Sequence, residues 1–317
     1  MTFKNALADL PFGGAKAGIV WKGGSPELKK KFVQSFARSI ALLTPKKYIA
    51  APDVHTGEQE MQWFVEATGN WKSATGKPAN YCMKSFGKKG EKCGIPHEYG
   101  STGFGVAKTA ETAAAILGIN IKGAKIAIHG FGNVGTFAYK FLTEMSAKIV
   151  ALADHEAAIY EENGFDKKAI EKIIKNKETL KNYPYGKKIT AEKFWEIETD
   201  ILIPASITNV INNVNKDKIK TKMIVEAGNI PMSEEIEKEF FVKGVLVVPD
   251  FLANAGGVIS SYAEYRGYNP KRMMETIEKK ITKNVKIILK ESIKENKNPR
   301  EVGMEIAVNR ISKKIIK

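Results

Sequence analysis

No stretch of the chain approaches eighteen uninterrupted apolar residues, so nothing in it reads as a membrane-spanning helix. The N-terminus has no basic-then-apolar signal pattern, which argues against secretion and for a cytoplasmic location. Cysteine is nearly missing. Cys82 and Cys93 are too few for a disulfide framework, and reduced thiols are the expectation. No CxxC occurs, and Cys82, Cys93 and His97 leave a zinc site one ligand short, so no metal is expected. Arginine is confined to Arg38, Arg266, Arg272, Arg300 and Arg310, so the net charge of +15 is a lysine charge. Lysine lacks the rigid fork with which arginine reads phosphates and bases. The lysines also alternate with Glu27, Glu91, Glu171 and Glu278, the pattern of a solvated surface rather than a nucleic-acid interface.

What is present suits an ordinary globular protein. At 317 residues the chain has room for two domains with real cores, and 43% apolar with 27% charged content excludes wholesale disorder. Its opening stretch runs through Ala6, Leu7, Ala8 and Leu10 into Pro11 and then Gly13-Gly-Ala-Lys-Ala-Gly18. Small neighbours let a backbone or ligand approach closely, which would present Lys16 at a strand end. A lysine held that way can be desolvated and tuned for proton transfer. The plainer alternative is a strand-to-strand turn with a solvated lysine.

Ser25-Pro26-Glu27 is a helix start, and Phe32, Val33, Phe36 and Ile40 give that helix a buried face through about Leu43. Tyr48–Val54 reads as a short buried strand ending at Asp53. A helix over Glu58–Thr68 carries Met61, Phe64 and Val65. Residues 69–100 are loop-rich, including Gly87-Lys-Lys-Gly90, and an alanine-rich helix runs from Ser101 to Gly118.

The pattern then changes. The strand Ala124–His129 leads at once into Gly130-Phe-Gly-Asn-Val-Gly135 and an amphipathic helix, followed by the strand Lys148–Asp154. A glycine fingerprint between strand and helix, with an acid twenty-four residues after Gly130, points to dinucleotide binding. Gly130 allows the tight turn, Gly132 admits pyrophosphate to the backbone, and Gly135 brings helix and strand together. Further strands over Ile201–Pro204, Met223–Glu226 and Val245–Pro249 predict a parallel, doubly wound sheet. A flavin or a bare nucleotide is the competing ligand. Asn254 to Ser261 mixes small and polar residues where a sheet crevice would open, or marks an ordinary glycine-containing helix start.

Four stretches together resemble the glutamate/leucine/phenylalanine/valine dehydrogenase superfamily, and within it the glutamate dehydrogenases. They are Leu10-Pro-Phe-Gly-Gly-Ala-Lys-Ala-Gly18, Ala51-Pro-Asp-Val54, Gly130-Phe-Gly-Asn-Val-Gly135 and Asn254-Ala-Gly-Gly-Val258. The resemblance implies an α/β enzyme with a Rossmann-type doubly wound domain, a partial α/β substrate domain and a cleft between them. The boundaries expected are 1–108 for the substrate domain, 109–256 for the dinucleotide domain and 257–317 for helices returning toward the substrate domain. It implies reversible, NAD(P)-dependent oxidative deamination of L-glutamate to 2-oxoglutarate and ammonia by a homo-oligomer, hexameric in full-length relatives. Lys16 falls on the catalytic lysine that activates water, and Asp53 on the proton-shuttling aspartate. Lys4 falls on the α-carboxylate lysine and Ser261 on a side-chain carboxylate ligand, with Val258 and Asn229 also in the substrate pocket. Thr102, Asn133 and Val134 fall on cofactor contacts beside Gly130, Gly132 and Gly135.

Three departures qualify the match. The chain reads as N-terminally truncated, lacking a further substrate lysine. Cys93–Gly100 carries no arginine where the family has one. In Glu226-Ala-Gly-Asn-Ile-Pro231, Ile230 stands in place of a glycine. Asp154 and Glu156 near the ribose position favour NAD over NADP, tempered by His155 and Lys148. A leucine-, valine- or phenylalanine-type dehydrogenase, and a catalytically impaired nucleotide-binding fragment, are the alternatives.

Overall fold

Apolar runs such as Ile126–Ile128, Ile149–Ala153 and Ile201–Ile203 suit strands covered on both faces, and that is where the fold places them. A computed structural model describes residues 1–83 and 92–315. Its seven-stranded sheet has the order β4-β3-β2-β1-β5-β6-β7. The strands are β1 (Lys125–His129), β2 (Lys148–Ala153), β3 (Ala158–Tyr160), β4 (Lys187–Ile189), β5 (Thr199–Pro204), β6 (Thr221–Val225) and β7 (Leu246–Val248). β2, β1, β5, β6 and β7 are mutually parallel. The expectation of an all-parallel sheet fails at one edge, where β3 and β4 run antiparallel. β3 is short, and β4 opens on the exposed Lys187 and Lys188, so neither carries the buried apolar run by which the parallel strands were legible.

Among the described residues, the helices before the C-terminal region are α1 (Thr2–Leu7), α2 (Pro26–Ser39), α3 (Glu58–Thr68), α4 (Ser101–Ile116), α5 (Asn133–Glu144), α6 (Lys167–Asn176), α7 (Ala191–Phe194), α8 (Glu234–Val242) and α9 (Asp250–Ala253). Then come α10 (Gly256–Tyr265), α11 (Pro270–Glu295) and α12 (Pro299–Ile315). Alternation along each strand sends Ile126, Ile128, Ile201 and Ile203 to a core shared with α4, α5, α11 and α12. Ala127, Leu202, Ile224 and Val247 face the opposite way, against Phe194, Trp195, Ile236 and Phe240. A third, smaller core joins α2 and α3 through Val33, Ala37, Met61, Phe64 and Val65. The capped start of α2 is as read, with Ser25 Oγ accepting from the Leu28 amide at 3.3 Å. Phe32, however, remains exposed.

Three further expectations are corrected. The opening stretch is not a strand but α1, and Leu7 and Leu10 are fully buried in the core that also holds one face of the sheet. Residues 11–25 then run without regular structure, because a strand needs a backbone partner and none of the described residues supplies one there. Tyr48–Val54 reduces to one parallel bridge, Ala50 to Ala74. Cys82 and Cys93 are not free thiols; they are joined as a disulfide across an antiparallel bridge, so neither offers a thiolate to a metal. Gly87–Gly90 lies outside the described residues. The boundary expected at 108 falls inside the unbroken helix α4.

Gly130 has φ +104°, a conformation that favours glycine, and a Cβ on Gly135 would overlap the Gly130 carbonyl oxygen. Gly135→Ala should therefore lower stability by about 1–3 kcal/mol, measured by urea unfolding, whereas Gly132→Ala, whose Cβ would meet only open space, should leave the midpoint nearly unchanged.

Candidate active site

Of the polar residues singled out from sequence, Asn133, Asp154 and Asn229 follow the carboxyl ends of the parallel strands β1, β2 and β6, where a doubly wound sheet opens its crevice. β1 ends at His129, and the chain turns through Gly130 into α5, whose first three residues are Asn133, Val134 and Gly135. Gly132 caps that helix in an extended conformation and faces open space. An anionic group could therefore approach the free amides of the first turn. His129 is half-buried, stacked on Trp195 with ring centroids 4.6 Å apart, and its Nδ1 lies 2.8 Å from Ser206 Oγ. Burial pulls its pKa from 6.5 down to about 4, so the ring beside the fingerprint is neutral.

Thr102 sits in the first turn of α4, and Val258 and Ser261 lie on α10. The two helix starts meet without side chains between them. A Cβ on Gly256 would collide with the Ser101 carbonyl, and one on Gly257 would lie 3.0 Å from Thr102 Oγ1. This brings Thr102 next to the segment carrying Val258. Ser261 is half-buried, one helical turn beyond Val258 on α10.

Asp154 ends beyond β2 with both oxygens occupied. Oδ1 accepts from the amides of Glu156 (2.8 Å) and Ala157 (2.9 Å), and Oδ2 from that of Leu180 (2.6 Å). Glu156 accepts from Thr179 Oγ1 at 2.6 Å. Both acids thus have a structural task in the turn.

Lys16 and Asp53 come together as an ion pair through Nζ and Oδ2, each still half exposed or more. Asp53 Oδ1 accepts from the Val54 amide at 2.8 Å, and the Asp53 amide donates to Thr56 Oγ1 at 2.8 Å, which fixes the carboxylate at a tight turn. The segment bearing Lys16 is anchored at its start. Phe12 packs edge-on against Tyr262 and Tyr265 of α10, and Gly14 lies so close to the Met1–Thr2 backbone that a Cβ would not fit.

Lys4 projects from α1 toward Asn254 Oδ1 at 2.6 Å and Asn229 Oδ1 at 3.4 Å. Burial pulls its pKa down, the charge of Asp250 opposes this, and Lys16 adds to it. Asn254 Nδ2 in turn donates to Asn229 Oδ1 at 3.0 Å and to the Ala227 carbonyl at 3.2 Å. Ile230, where the sequence departs from the family pattern, adopts φ +49°, and its amide donates to Asp250 Oδ2 at 3.0 Å. A β-branched residue in the left-handed region is strained, as a glycine there would not be.

Sequence reading missed the group beneath these residues. Arg300, from α12, donates to Glu237 through Nε (2.6 Å) and Nη2 (2.7 Å), and through Nη2 to Glu226 (2.8 Å) and Asp250 (3.2 Å). Glu226, Glu237 and Asp250 are all buried. Burial, joined by the Glu237 charge, holds the Glu226 carboxyl well above its ordinary pKa. No local motif marks Arg300. Asn254 did lie within a quoted motif, but its contact with Lys4 spans 250 positions.

A glycine fingerprint at the crevice of a doubly wound sheet, together with a lysine–aspartate pair, defines the pyridine-nucleotide-dependent dehydrogenase class. Residues 1–70 match the family model for the Glu/Leu/Phe/Val dehydrogenase dimerisation domain, and residues 93–317 that for glutamate/leucine/phenylalanine/valine dehydrogenase. The chain belongs to this family. It is 37% identical to a glutamate dehydrogenase of Aeropyrum pernix over 98% of this chain and 76% of that protein. It is 38% identical to the NADP-specific glutamate dehydrogenase of Saccharolobus shibatae (84% of this chain, 62% of that one). It is 37% identical to the NAD-specific enzyme of Clostridioides difficile (84% and 64%). The chain thus spans less than two thirds of the latter two relatives. The crystal structure of Peptoniphilus asaccharolyticus glutamate dehydrogenase superimposes with a TM-score of 0.77 at 31% identity, covering 98% of this chain and 76% of that one.

Two outcomes are expected from this geometry. Arg300→Met leaves three buried carboxyls without their cation and should cost about 3–5 kcal/mol, read by thermal and urea unfolding. His129 stabilises the fold fully above pH 6.5. That contribution, on the order of 3 kcal/mol, disappears as pH falls toward about 4, because the unfolded ring gains a proton there and the folded ring does not. His129→Gln should flatten the stability–pH curve across that window.

Proposed function

We propose that the chain carries out the reversible, NAD(P)-dependent oxidative deamination of L-glutamate to 2-oxoglutarate and ammonia. The observation that carries this reading is the pairing of Lys16 with Asp53 next to a lysine, Lys4, held against two asparagines. The open face at Gly132 and the free amides of α5 suit a dinucleotide pyrophosphate, with Thr102, Asn133 and Val134 as further contacts and Asp154 or Glu156 near the ribose. A dinucleotide bound there would supply the hydride acceptor for the substrate Cα.

In this reading Lys4 binds the α-carboxylate and Ser261 helps hold the side-chain carboxylate, with Asn229 and Val258 lining the pocket. Two fixed cationic and polar anchors convert a diffusing dicarboxylate into an oriented one. Asp53, in contact with Lys16, takes a proton from the Lys16 ammonium; the freed amine takes the proton of the water that attacks the imine carbon, and Asp53 passes its proton to the departing nitrogen. The relatives named NAD-specific and NADP-specific support either cofactor; NAD is preferred on the acids beyond β2. The substrate and dinucleotide regions are read as 1–108 and 109–256, with 257–317 bridging back. The dimerisation-domain match supports a homo-oligomer, read here as a hexamer acting in the cytoplasm.

Lys16→Ala should lower kcat for glutamate by about 10²–10⁴-fold with the dissociation constant for NAD(P) unchanged, measured by steady-state assay and cofactor fluorescence. Turnover within a few-fold of the parent would sink the assignment. Preference for leucine over glutamate in a substrate panel would move the chain to the branched-chain type, where the residue at Ser261 has no carboxylate to hold.

A further inference from the structure

Glu264 and Lys77 are fully buried and form an ion pair remote in sequence, between the last turn of α10 and the loop after α3. Neither belongs to the reacting groups discussed above. The Glu264 carboxylate does more than neutralise Lys77. Its Oε2 accepts from the Gly76 amide at 2.8 Å and from the Ile95 amide at 2.7 Å, so one side chain gathers two separate backbone segments onto α10. Lys77 Nζ lies 3.8 Å from the Trp71 ring centroid and donates to the Ala74 carbonyl, which closes the same loop upon itself.

The loop held by Glu264 is the one on which the Asp53 segment rests. Ala50 donates to the Ser73 carbonyl and accepts from the Thr75 amide, both at 2.9 Å. Gly76, at φ +77°, touches the Pro52 ring so closely that a Cβ would lie 2.6 Å from it. Asp53 is the next residue. On the other side, Ser261 precedes Glu264 by one helical turn on α10. A continuous path of short contacts therefore runs from Asp53 through Pro52, Gly76 and Glu264 to Ser261.

We propose that Glu264 is a positioning residue that holds the Asp53 turn in register with the helix carrying Ser261. The proposal rests on the glutamate dehydrogenase reading for its kinetic consequence, but not for its structural one. Burial raises the Glu264 pKa, and Lys77 opposes that shift, since a buried carboxylate without a cation is costly. The two amide hydrogen bonds are what fix the register.

The test uses two double variants of the full chain. Lys77→Met with Glu264→Gln removes both charges and keeps an acceptor for the two amides; kcat for glutamate should stay within about threefold of the parent. Lys77→Met with Glu264→Leu removes the acceptor as well. It should lower kcat by about 10- to 100-fold, while KM for glutamate and the dissociation constant for NAD(P) stay within about threefold. Amide hydrogen exchange at residues 50–56 should quicken in the leucine variant and not in the glutamine variant, with exchange at residues 130–135 unchanged in both. Equal kcat and equal exchange in the two variants would overturn the proposal. So would a leucine variant that unfolds or loses cofactor binding along with turnover, since Glu264 would then support the fold in general. A parent chain without glutamate turnover would refute the functional reading alone, and the exchange pattern would still decide the register.

Discussion

At the carboxyl ends of β6 and β7 three acidic side chains converge on the Arg300 guanidinium, and the arrangement of the crevice follows from how that charge is satisfied. Glu226 ends β6 and accepts from the Asp250 amide at 2.8 Å; Asp250 opens α9 and accepts from the amides of Ile230 and Phe251. These bonds set the Asn229–Ile230 turn and the start of α9, and α9 delivers Asn254 to Lys4. One guanidinium cannot neutralise three carboxylates. Burial holds Glu226 well above its ordinary pKa, which eases the excess negative charge without removing it. Lys4 then faces two neutral amide oxygens, with Asp250 contributing at longer range.

Backbone proximity is the second constraint. α4 and α10 meet through Gly105, Gly256 and Gly257, where Gly256 Cα lies 3.1 Å from a Cβ placed on Gly105. Any side chain there would push the helices apart and separate Thr102 from Val258. Ala107, Ala110, Ala113 and Ala114 continue the small surface along α4, and all four are fully buried against neighbouring elements. The alanine-rich composition of this helix is therefore a packing requirement as well as a matter of helix propensity.

The dinucleotide half was legible in sequence because its elements announce themselves locally. β1, the fingerprint and α5 are contiguous, and each parallel strand is apolar enough to demand burial on both faces. α2 and α3 were equally readable from a serine–proline start and a helical spacing of apolar residues. The first twenty residues were not. Ala6, Leu7, Ala8 and Leu10 fit a strand's alternation and a helix's stripe alike over so short a stretch. The choice fell to tertiary contacts with α9 and α12 that no local pattern contains. The β3–β4 edge escaped for a related reason: β3 is too short to show a pattern by itself, and β4 opens on two exposed lysines rather than an apolar run. Arg300, Glu264 and Lys77 were invisible as a site, because a buried charge is recognised by its partner and the partners lie 50 to 188 positions away.

The two lysines of the crevice are held by opposite means, and the difference bears on what each can do. Lys16 pairs with Asp53 where both remain open to water, so the contact adds little to stability. Its persistence depends on the segments that carry it, through Phe12 and Gly14 on one side and the Asp53 turn on the other. Lys4 is drawn out of water, and its pKa falls as a result. Among the described residues no carboxylate forms an ion pair with it. A cation desolvated against neutral amides favours the arrival of an anion, which restores the charge that burial has left uncompensated. Under the proposed function that anion is the substrate α-carboxylate. Binding it at Lys4 leaves the Lys16–Asp53 pair free to exchange protons with solvent.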